Sequence, residues 1–121
     1  MIVVTGAAGF IGSNLVRALN ARGRTDLLVV DDLTNGRKFA NLADCDFVDV
    51  MDKGDFLARV VSGEVGEVSA IFHQGACSNT MEWNGRFMLA ENYEYSKSLY
   101  AFASARGVPL IQVYGSTETG P

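Results

Sequence analysis

The sequence predicts an α/β fold in which a parallel sheet of about five strands is covered by helices on both faces. Short apolar runs alternate with longer segments of helical period, and glycine or turn residues separate them. Right-handed crossovers between successive strands then give a doubly wound sheet with the strand order 3-2-1-4-5. We expect a single domain over residues 1–121, because no linker or repeat interrupts the pattern.

The first two predicted strands enclose a helix. Residues 2–5 form a β-rich run that ends at a glycine. Residues 10–22 carry apolar side chains at helical spacing, and Gly23 marks the end of this helix. The run Leu27–Asp31 is apolar enough for a strand buried on both faces. The polar segment 32–41, with its Asn-Gly turn signal, predicts a loop that has room for one helical turn.

The middle of the chain predicts a second helix between two further strands. Residues 47–50 predict the third strand. Asp52 can cap the following helix, which we expect to end near Gly63. Residues 68–73 predict the fourth strand.

A long third helix is predicted over residues 83–106. Gly107 and Pro109 follow it as stop signals, and residues 108–114 predict the fifth strand. One face of this helix carries an apolar stripe at spacings of three and four, with a polar residue on the same line. The stripe comprises Met88, Tyr95, Leu99 and Phe102, and the polar residue is Asn92.

The composition excludes several classes of protein. With 48% hydrophobic residues and a net charge of -4, the 121-residue chain is neither disordered nor a general binder of nucleic acid or anionic membrane. It has no apolar run of the ~18 residues that a membrane span needs, and no secretion signal opens it. Two cysteines indicate reduced thiols. We therefore expect a cytoplasmic protein.

The turn between the first strand and the first helix carries three glycines. Gly6 allows a tight turn, Gly9 allows the backbone to approach a pyrophosphate, and Gly12 allows the helix to pack on the strand. The spacing is G-x-x-G-x-x-G rather than the commoner G-x-G-x-x-G. Asp31 ends the second strand about 20 residues beyond Gly12, where a ribose-binding carboxylate is expected. This context predicts dinucleotide binding.

The residues alone leave the choice of dinucleotide open. Asp31 favours NAD, because a carboxylate binds a free ribose hydroxyl. Arg37 and Lys38 could instead hold the 2′-phosphate of NADP, or they could be solvated loop charges.

Other polar residues have weaker functional claims. His73 is the only histidine, so no metal cluster can form around it, and we expect it to have a structural role. The small residues that follow Gln74 lie where ligands bind in such sheets. Cys77 has no base beside it in the sequence that would make it a nucleophile. The long helix also carries a set of tyrosines and a lysine, which we interpret as a mixture of surface and core residues: Tyr93, Tyr95 and Lys97.

Several segments resemble the ADP-L-glycero-D-manno-heptose 6-epimerase family. They are TGAAGFIGSN, LLVVDDLTNGRKFANL, DVMDKGDF, IFHQGACSNTMEWNG and ENYEYSKSLYAFA. The family belongs to the extended short-chain dehydrogenase/reductases, which have the Rossmann fold, and acts in lipopolysaccharide core synthesis in Gram-negative bacteria. The resemblance spans residues 1–111.

The resemblance implies a set of cofactor-binding residues. Phe10 and Ile11 would cover the pyrophosphate, and Asp31 and Asp32 would bind the adenosine ribose. Lys38 would take the 2′-phosphate, which favours NADP over NAD, although relatives commonly have Asn at the position of Asp32. The remaining residues of the implied cleft are Lys53, Gln74, Gly75, Ala76, Cys77, Ser78 and Asn92.

The end of the chain departs from this resemblance. The family has a catalytic Tyr-x-x-x-Lys pair and a sugar-binding region beyond the fifth strand, and we expect neither anywhere in this chain. The tail VYGSTETGP resembles the Y-G-x-T-E motif of adenylate-forming enzymes instead. We therefore identify no catalytic residue and no metal ligand in this chain.

Two functions are compatible with these observations. The chain is the NADP-binding part of a nucleotide-sugar epimerase and does not turn over substrate alone, or it is a truncated or chimeric Rossmann module with a vestigial cleft. Either way, we expect self-association into a homo-oligomer through surface that truncation exposes.

Overall fold

The computed structural model describes residues 1–34, 36–74 and 82–113, with residues 82–93 and 113 described by their backbone alone. Predictions that fall on Gly75, Ala76, Cys77, Ser78 and the side chain of Asn92 lie outside the described residues. The VYGSTETGP tail, beyond the first of its residues, also lies outside them.

The described elements alternate strand and helix as predicted. In chain order they are β1 (Ile2–Thr5), α1 (Phe10–Ala21), β2 (Leu27–Asp31), a 3-10 helix (Gly36–Leu42), β3 (Asp49–Asp52), α2 (Lys53–Ser62), β4 (Ala70–Gln74), α3 (Glu82–Arg106) and β5 (Leu110–Val113).

The five strands form one parallel sheet in the order β3-β2-β1-β4-β5. This confirms the predicted doubly wound α/β fold. β1 lies in the middle, and every residue of β1 and β2 is buried. Their apolar character follows from this position, because helices cover both faces of the sheet.

Side chains on alternate sides of the strands form two hydrophobic clusters. Val3 and Ile71 pack against Phe56 of α2 and Leu99 of α3 on one face. On the other face, Val16 of α1 belongs to a cluster with neighbouring strand residues and the 3-10 helix. The two clusters fix the helices relative to the strand ends.

The predicted ends of the helices agree with the structure. Asp52 caps α2 by accepting a hydrogen bond from the backbone N–H of Gly54 at 3.0 Å. Gly63 and Gly107 end α2 and α3 with positive φ angles of 79° and 67°, a conformation that glycine adopts without strain. The predicted loop at 32–41 holds more helix than the single turn expected, because Gly36–Leu42 is a 3-10 helix of seven residues.

Strand β3 lies two residues later than predicted. The sequence indicated 47–50, whereas the parallel register pairs Leu28 with Asp49 and Asp31 with Asp52. Asp49 and Val50 are exposed, since β3 is an edge strand. An exposed edge tolerates aspartates that would not suit a buried strand, which is why the apolar pattern misplaced it.

Candidate functional site

The candidate site lies at the carboxyl edge of the sheet, where β1 ends between β2 and β4. The chain leaves β1 for β2 on one side and later returns to β4 on the other. Ligands of open α/β sheets bind at this point because the loops diverge and leave a crevice. The segments that meet here are the glycine turn, the end of β2 with the 3-10 helix, the start of α2, and the end of β4.

The fold itself requires two of the three glycines. Gly6 has φ +68°, and a Cβ there would lie 2.6 Å from the Cβ of Gln74. A Cβ on Gly12 would lie 2.1 Å from the carbonyl oxygen of Gly6, which is backbone and cannot move aside cheaply. These contacts seat α1 directly on the turn.

Gly9 differs from the other two, since the fold leaves room for a side chain there. Its φ is -76°, and the nearest atom to a built Cβ is the oxygen of Gly6 at 3.5 Å, an ordinary contact. The described protein atoms therefore supply no steric reason for glycine at Gly9. Close approach of a ligand supplies one.

Helix α1 begins at this turn without a side-chain cap. Gly9 is its N-cap residue, and its first turn contains no acidic residue. Helix N-termini carry about half a positive charge and unpaired N–H groups, which suit a pyrophosphate. Phe10, 67% exposed, and the half-buried Ile11 stand at the same end of the helix.

Asp31 is a buried carboxylate, and both of its oxygens accept hydrogen bonds. Oδ2 accepts from the backbone N–H of Ala8 at 2.8 Å, so Asp31 anchors the glycine turn. Oδ1 accepts from the backbone N–H of Asp32 at 2.7 Å and from Nζ of Lys38 at 2.8 Å. The second-strand carboxylate and the loop lysine are therefore one ion pair rather than two independent groups.

Asp32 accepts hydrogen bonds from within its own loop. Its Oδ1 accepts from the backbone N–H and the hydroxyl of Thr34 at 3.0 and 2.7 Å. These hydrogen bonds, with smaller contributions from the charges of Lys53 and Lys38, lower the pKa of Asp32. Lys53 is exposed at the start of α2.

Two residues that no sequence pattern marks hold the 3-10 helix in place. Asn41 donates from Nδ2 to the carbonyl of Ala8 at 2.8 Å, which is the glycine turn again. Arg17 of α1 donates to the carbonyl of Asn41 at 2.7 Å and pairs with Asp44 at 3.1 Å. No spacing marks these residues, because their contacts join segments distant along the chain.

His73 at the end of β4 has partners on both ring nitrogens. Nδ1 is 2.7 Å from the hydroxyl of Thr5, and Nε2 is 2.8 Å from the hydroxyl of Ser96. The ring stacks on Tyr95, with centroids 6.0 Å apart and planes at 14°. Burial lowers the pKa of His73 to about 4, so the ring is neutral at pH ~7. This agrees with the predicted structural role.

Gln74 borders the glycine turn at the end of β4. Its backbone N–H donates to the hydroxyl of Thr5 at 3.1 Å, and its side chain packs against Gly6. Its Oε1 is buried with no hydrogen-bond partner among the described residues. A buried acceptor of this kind is uncommon in a folded protein, and a ligand donor would satisfy it.

The structure brings most of the predicted cofactor residues to this edge of the sheet. The described ones are Gly6, Gly9, Phe10, Ile11, Gly12, Asp31, Asp32, Lys38, Lys53 and Gln74. Within the described ranges no three potential ligands group as a metal site, and no helix is both long and apolar enough to span a bilayer.

The expectation that the chain contains no Tyr-x-x-x-Lys pair is wrong. Tyr93 and Lys97 do stand at Tyr-x-x-x-Lys spacing, on α3. They precede β5, whereas the resemblance places the catalytic pair beyond it. The side chain of Tyr93 lies outside the described residues, so the structure assigns this pair no chemistry.

Residues 2–121 match a protein family described as the NAD dependent epimerase/dehydratase family. The structure is similar to ADP-L-glycero-D-manno-heptose-6-epimerase of Helicobacter pylori, with a TM-score of 0.73 and 25% identity over 92% of this chain and 37% of that one. The enzyme WbmG of Bordetella bronchiseptica, in complex with NAD and UDP, gives a TM-score of 0.67 and 26% identity over 92% of this chain and 36% of that one.

A short-chain dehydrogenase/reductase superfamily protein of Agrobacterium tumefaciens with bound NAD gives a TM-score of 0.66 and 31% identity, over 96% of this chain and 33% of that one. The chain thus spans between 33% and 37% of the length of these three proteins.

Proposed function

Because the chain belongs to the NAD dependent epimerase/dehydratase family, we propose that it binds a nicotinamide dinucleotide at the carboxyl edge of its sheet. The glycine turn carries this proposal. Gly9 has room for a Cβ that the sequence does not supply, directly before the uncapped N-terminus of α1. That combination suits a pyrophosphate held by backbone N–H groups.

Other residues at the carboxyl edge of the sheet contact the remaining parts of the cofactor. Phe10 and Ile11 flank the helix N-terminus and cover the pyrophosphate. Asp31 lies at the end of β2, where it fixes the turn through Ala8 and orients the adenosine ribose. Gln74 offers its buried Oε1 to a donor of the ligand. When bound, the nicotinamide supplies hydride transfer to and from a substrate carbon.

For the dinucleotide itself, the Asp31–Lys38 pair supports NAD over the NADP that the resemblance implies. The Lys38 ammonium is 2.8 Å from Asp31, so a 2′-phosphate would have to compete with this carboxylate for it. The phosphate would also come close to the negative charge of Asp31. The NAD bound to WbmG and to the Agrobacterium protein supports the same choice.

The finer proposal concerns the reaction. We infer that the chain is the cofactor-binding part of a nucleotide-sugar epimerase, with ADP-glycero-manno-heptose as the substrate and the bacterial cytoplasm as the compartment. We expect no turnover from it alone, because the resemblance places the catalytic pair and the sugar-binding region beyond β5, and the chain spans only 33% to 37% of the length of the three similar proteins. An epimerisation assay with ADP-heptose and added NAD or NADP should give the blank rate, and any higher rate would contradict this.

Substitution of Gly9 tests the binding site. Gly9→Ala keeps the fold, since its Cβ meets nothing closer than 3.5 Å, but places a methyl group where the pyrophosphate approaches. We expect calorimetric titration to show NAD binding by the wild type and about tenfold weaker binding by the variant. Gly66→Ala is the matched control, because a Cβ there meets nothing within 4 Å. Equal affinity in all three proteins would reject the proposed site.

The alternative of a self-associating module also has support in the structure. The edge strand β3 and the segment before it expose Val50 and Val48, and β5 exposes Ile111, which is 41% accessible. Apolar edges of this kind favour pairing with a second copy. Light scattering should show a dimer or larger species, and a monomer at high concentration would exclude this proposal.

A further inference from the structure

His73 and Tyr95 lie beneath the candidate cleft and connect three of its walls. These walls are the glycine turn after β1, the end of β4 and the start of α2. His73 belongs to β4 and Tyr95 to α3, and their rings stack 6.0 Å apart. His73 is only 4% exposed. None of the functions considered above uses this pair.

The contacts of His73 fix the ends of two neighbouring strands. Its Nδ1 lies 2.7 Å from the hydroxyl of Thr5, and the same hydroxyl accepts the backbone N–H of Gln74 at 3.1 Å. Thr5 directly precedes Gly6, and the Gln74 side chain packs against that glycine. In addition to the parallel pairing of β1 with β4, one hydroxyl held by one imidazole thus links the glycine turn to the end of β4.

Tyr95 carries the connection to a third wall. Its hydroxyl donates to the carbonyl of Lys53, the first residue of α2, at 3.0 Å. The preceding residue, Asp52, accepts the backbone N–H of Leu33 at 3.1 Å. The start of α2 and the loop after β2 therefore depend on where Tyr95 places its ring.

Helix α3 anchors both members of the pair. Tyr95 lies on this helix, and its neighbour Ser96 has its hydroxyl 2.8 Å from Nε2 of His73. The next turns of α3 bury Leu99 and Phe102 in the core, so the anchor does not shift independently of the sheet. Side chains locked in this way are what hold a binding site in a productive geometry.

We propose that the His73–Tyr95 pair is a positioning device that holds the ends of β1 and β4 and the start of α2 at the spacing a dinucleotide requires. Neither side chain contacts the ligand. The inference rests on the proposed dinucleotide binding, and it adds residues to which no part of that proposal assigns a role.

Two substitutions of His73 separate positioning from general stability. The amide of His73→Asn replaces Nδ1 and keeps the link to Thr5, whereas that of His73→Gln reaches the position of Nε2 and keeps the link to Ser96. Both remove the ring and its stacking. We expect calorimetric titration with NAD to show about tenfold weaker binding for His73→Gln, the contribution of one hydrogen bond, and a smaller loss for His73→Asn.

Tyr95→Phe tests the third wall, because it keeps the ring and removes only the bond to Lys53. NAD affinity should fall by about threefold to tenfold. Tyr100→Phe is the matched control on the same helix, since its hydroxyl contacts Gln112 at 3.1 Å and no wall of the cleft. Circular dichroism establishes that each variant is folded before titration. Wild-type affinity in folded His73→Gln and Tyr95→Phe would overturn the inference, as would equal losses in the Asn and Gln variants.

Hydrogen exchange without ligand separates this inference from the proposed function. Gly6 and Ala7 donate their backbone N–H groups to the carbonyl of Val30 at 2.8 and 3.2 Å. In His73→Gln these two amides should exchange faster than in Tyr100→Phe, because the turn has lost its anchor. Unchanged exchange would refute positioning. A wild-type chain that binds no dinucleotide would instead refute the proposed function.

Discussion

Two hydrogen-bond networks flank β1, and they differ in charge. On the β2 side, Asp31 holds the glycine turn through Ala8 and pairs with Lys38, whose side chain is 34% exposed. On the β4 side, His73 holds Thr5 by a neutral contact and is 4% exposed. Breaking the partly exposed Asp31–Lys38 pair should cost little stability, whereas the buried neutral contacts of His73 have no water to replace them. The β2 side and the β4 side of the cleft should therefore respond differently to substitution and to pH.

Substitution in the glycine turn, which lies between the two networks, should cause the largest loss of stability. In Gly12→Ala the new Cβ would lie 2.1 Å from the oxygen of Gly6 and 2.8 Å from Cα of Ala7, so α1 has to move away from β1. We expect the free energy of unfolding to fall by about 3 kcal/mol or more. Urea unfolding measures it. Gly23→Ala, with a positive φ but no close contact, should lose only about 1 kcal/mol, and equal losses would contradict this reason.

The second-largest effect should come from lowering the pH, which weakens the neutral network around His73. The pKa of His73 is about 4 in the fold because of burial, against 6.5 ordinarily. The unfolded chain then binds a proton that the folded one refuses, so the stabilising effect is complete above pH ~6.5 and declines as the pH falls towards ~4. Between pH ~7 and ~5 the loss should be about 2 kcal/mol.

A variant isolates that loss from other titrations. Carboxylates such as Asp26, whose pKa hydrogen bonding to Arg24 lowers to about 2, respond at lower pH. His73→Asn should therefore show a flatter dependence of unfolding free energy on pH than the wild type. Parallel curves would mean that His73 titrates normally in the fold.

The two networks also differ in how far the sequence predicted them. Gly6, Gly9, Gly12 and Asp31 follow from local spacing, because a tight turn and a strand-end acid are properties of short segments. The partners of His73 are 68 and 23 residues away along the chain. They meet only because the parallel register sets Thr5 beside His73 and packing brings α3 over both. Sequence reasoning gave His73 a structural role but could not name its partners.

In the charged network, replacement of the Asp31 carboxylate should cause the largest loss of stability. Asp31→Asn keeps the shape but weakens the bond to Lys38 and replaces one acceptor oxygen by a donor facing Ala8 or Asp32. We expect about 1–2 kcal/mol less stability, since a buried backbone N–H loses its acceptor. Asp49→Asn, on the exposed edge strand, is the control and should change stability little. A wild-type midpoint in thermal unfolding of Asp31→Asn would show that the carboxylate does not anchor the turn.

The smallest change in stability should come from Lys38, and this variant also decides the cofactor. Lys38→Ala leaves Asp31 with its two backbone donors and removes a partly exposed ion pair. We therefore expect the free energy of unfolding to fall by at most about 1 kcal/mol, and by less at high salt.

If NAD is the ligand, its affinity for Lys38→Ala stays within about threefold of the wild type, because the ribose contacts Asp31 and not the ammonium. If Lys38 serves a 2′-phosphate, the wild type binds NADP more tightly and the variant loses that preference, which would favour the resemblance over the ion pair as the guide to specificity. Arg59→Ala is the matched control, because it removes an exposed cation in the last turn of α2, away from the cleft.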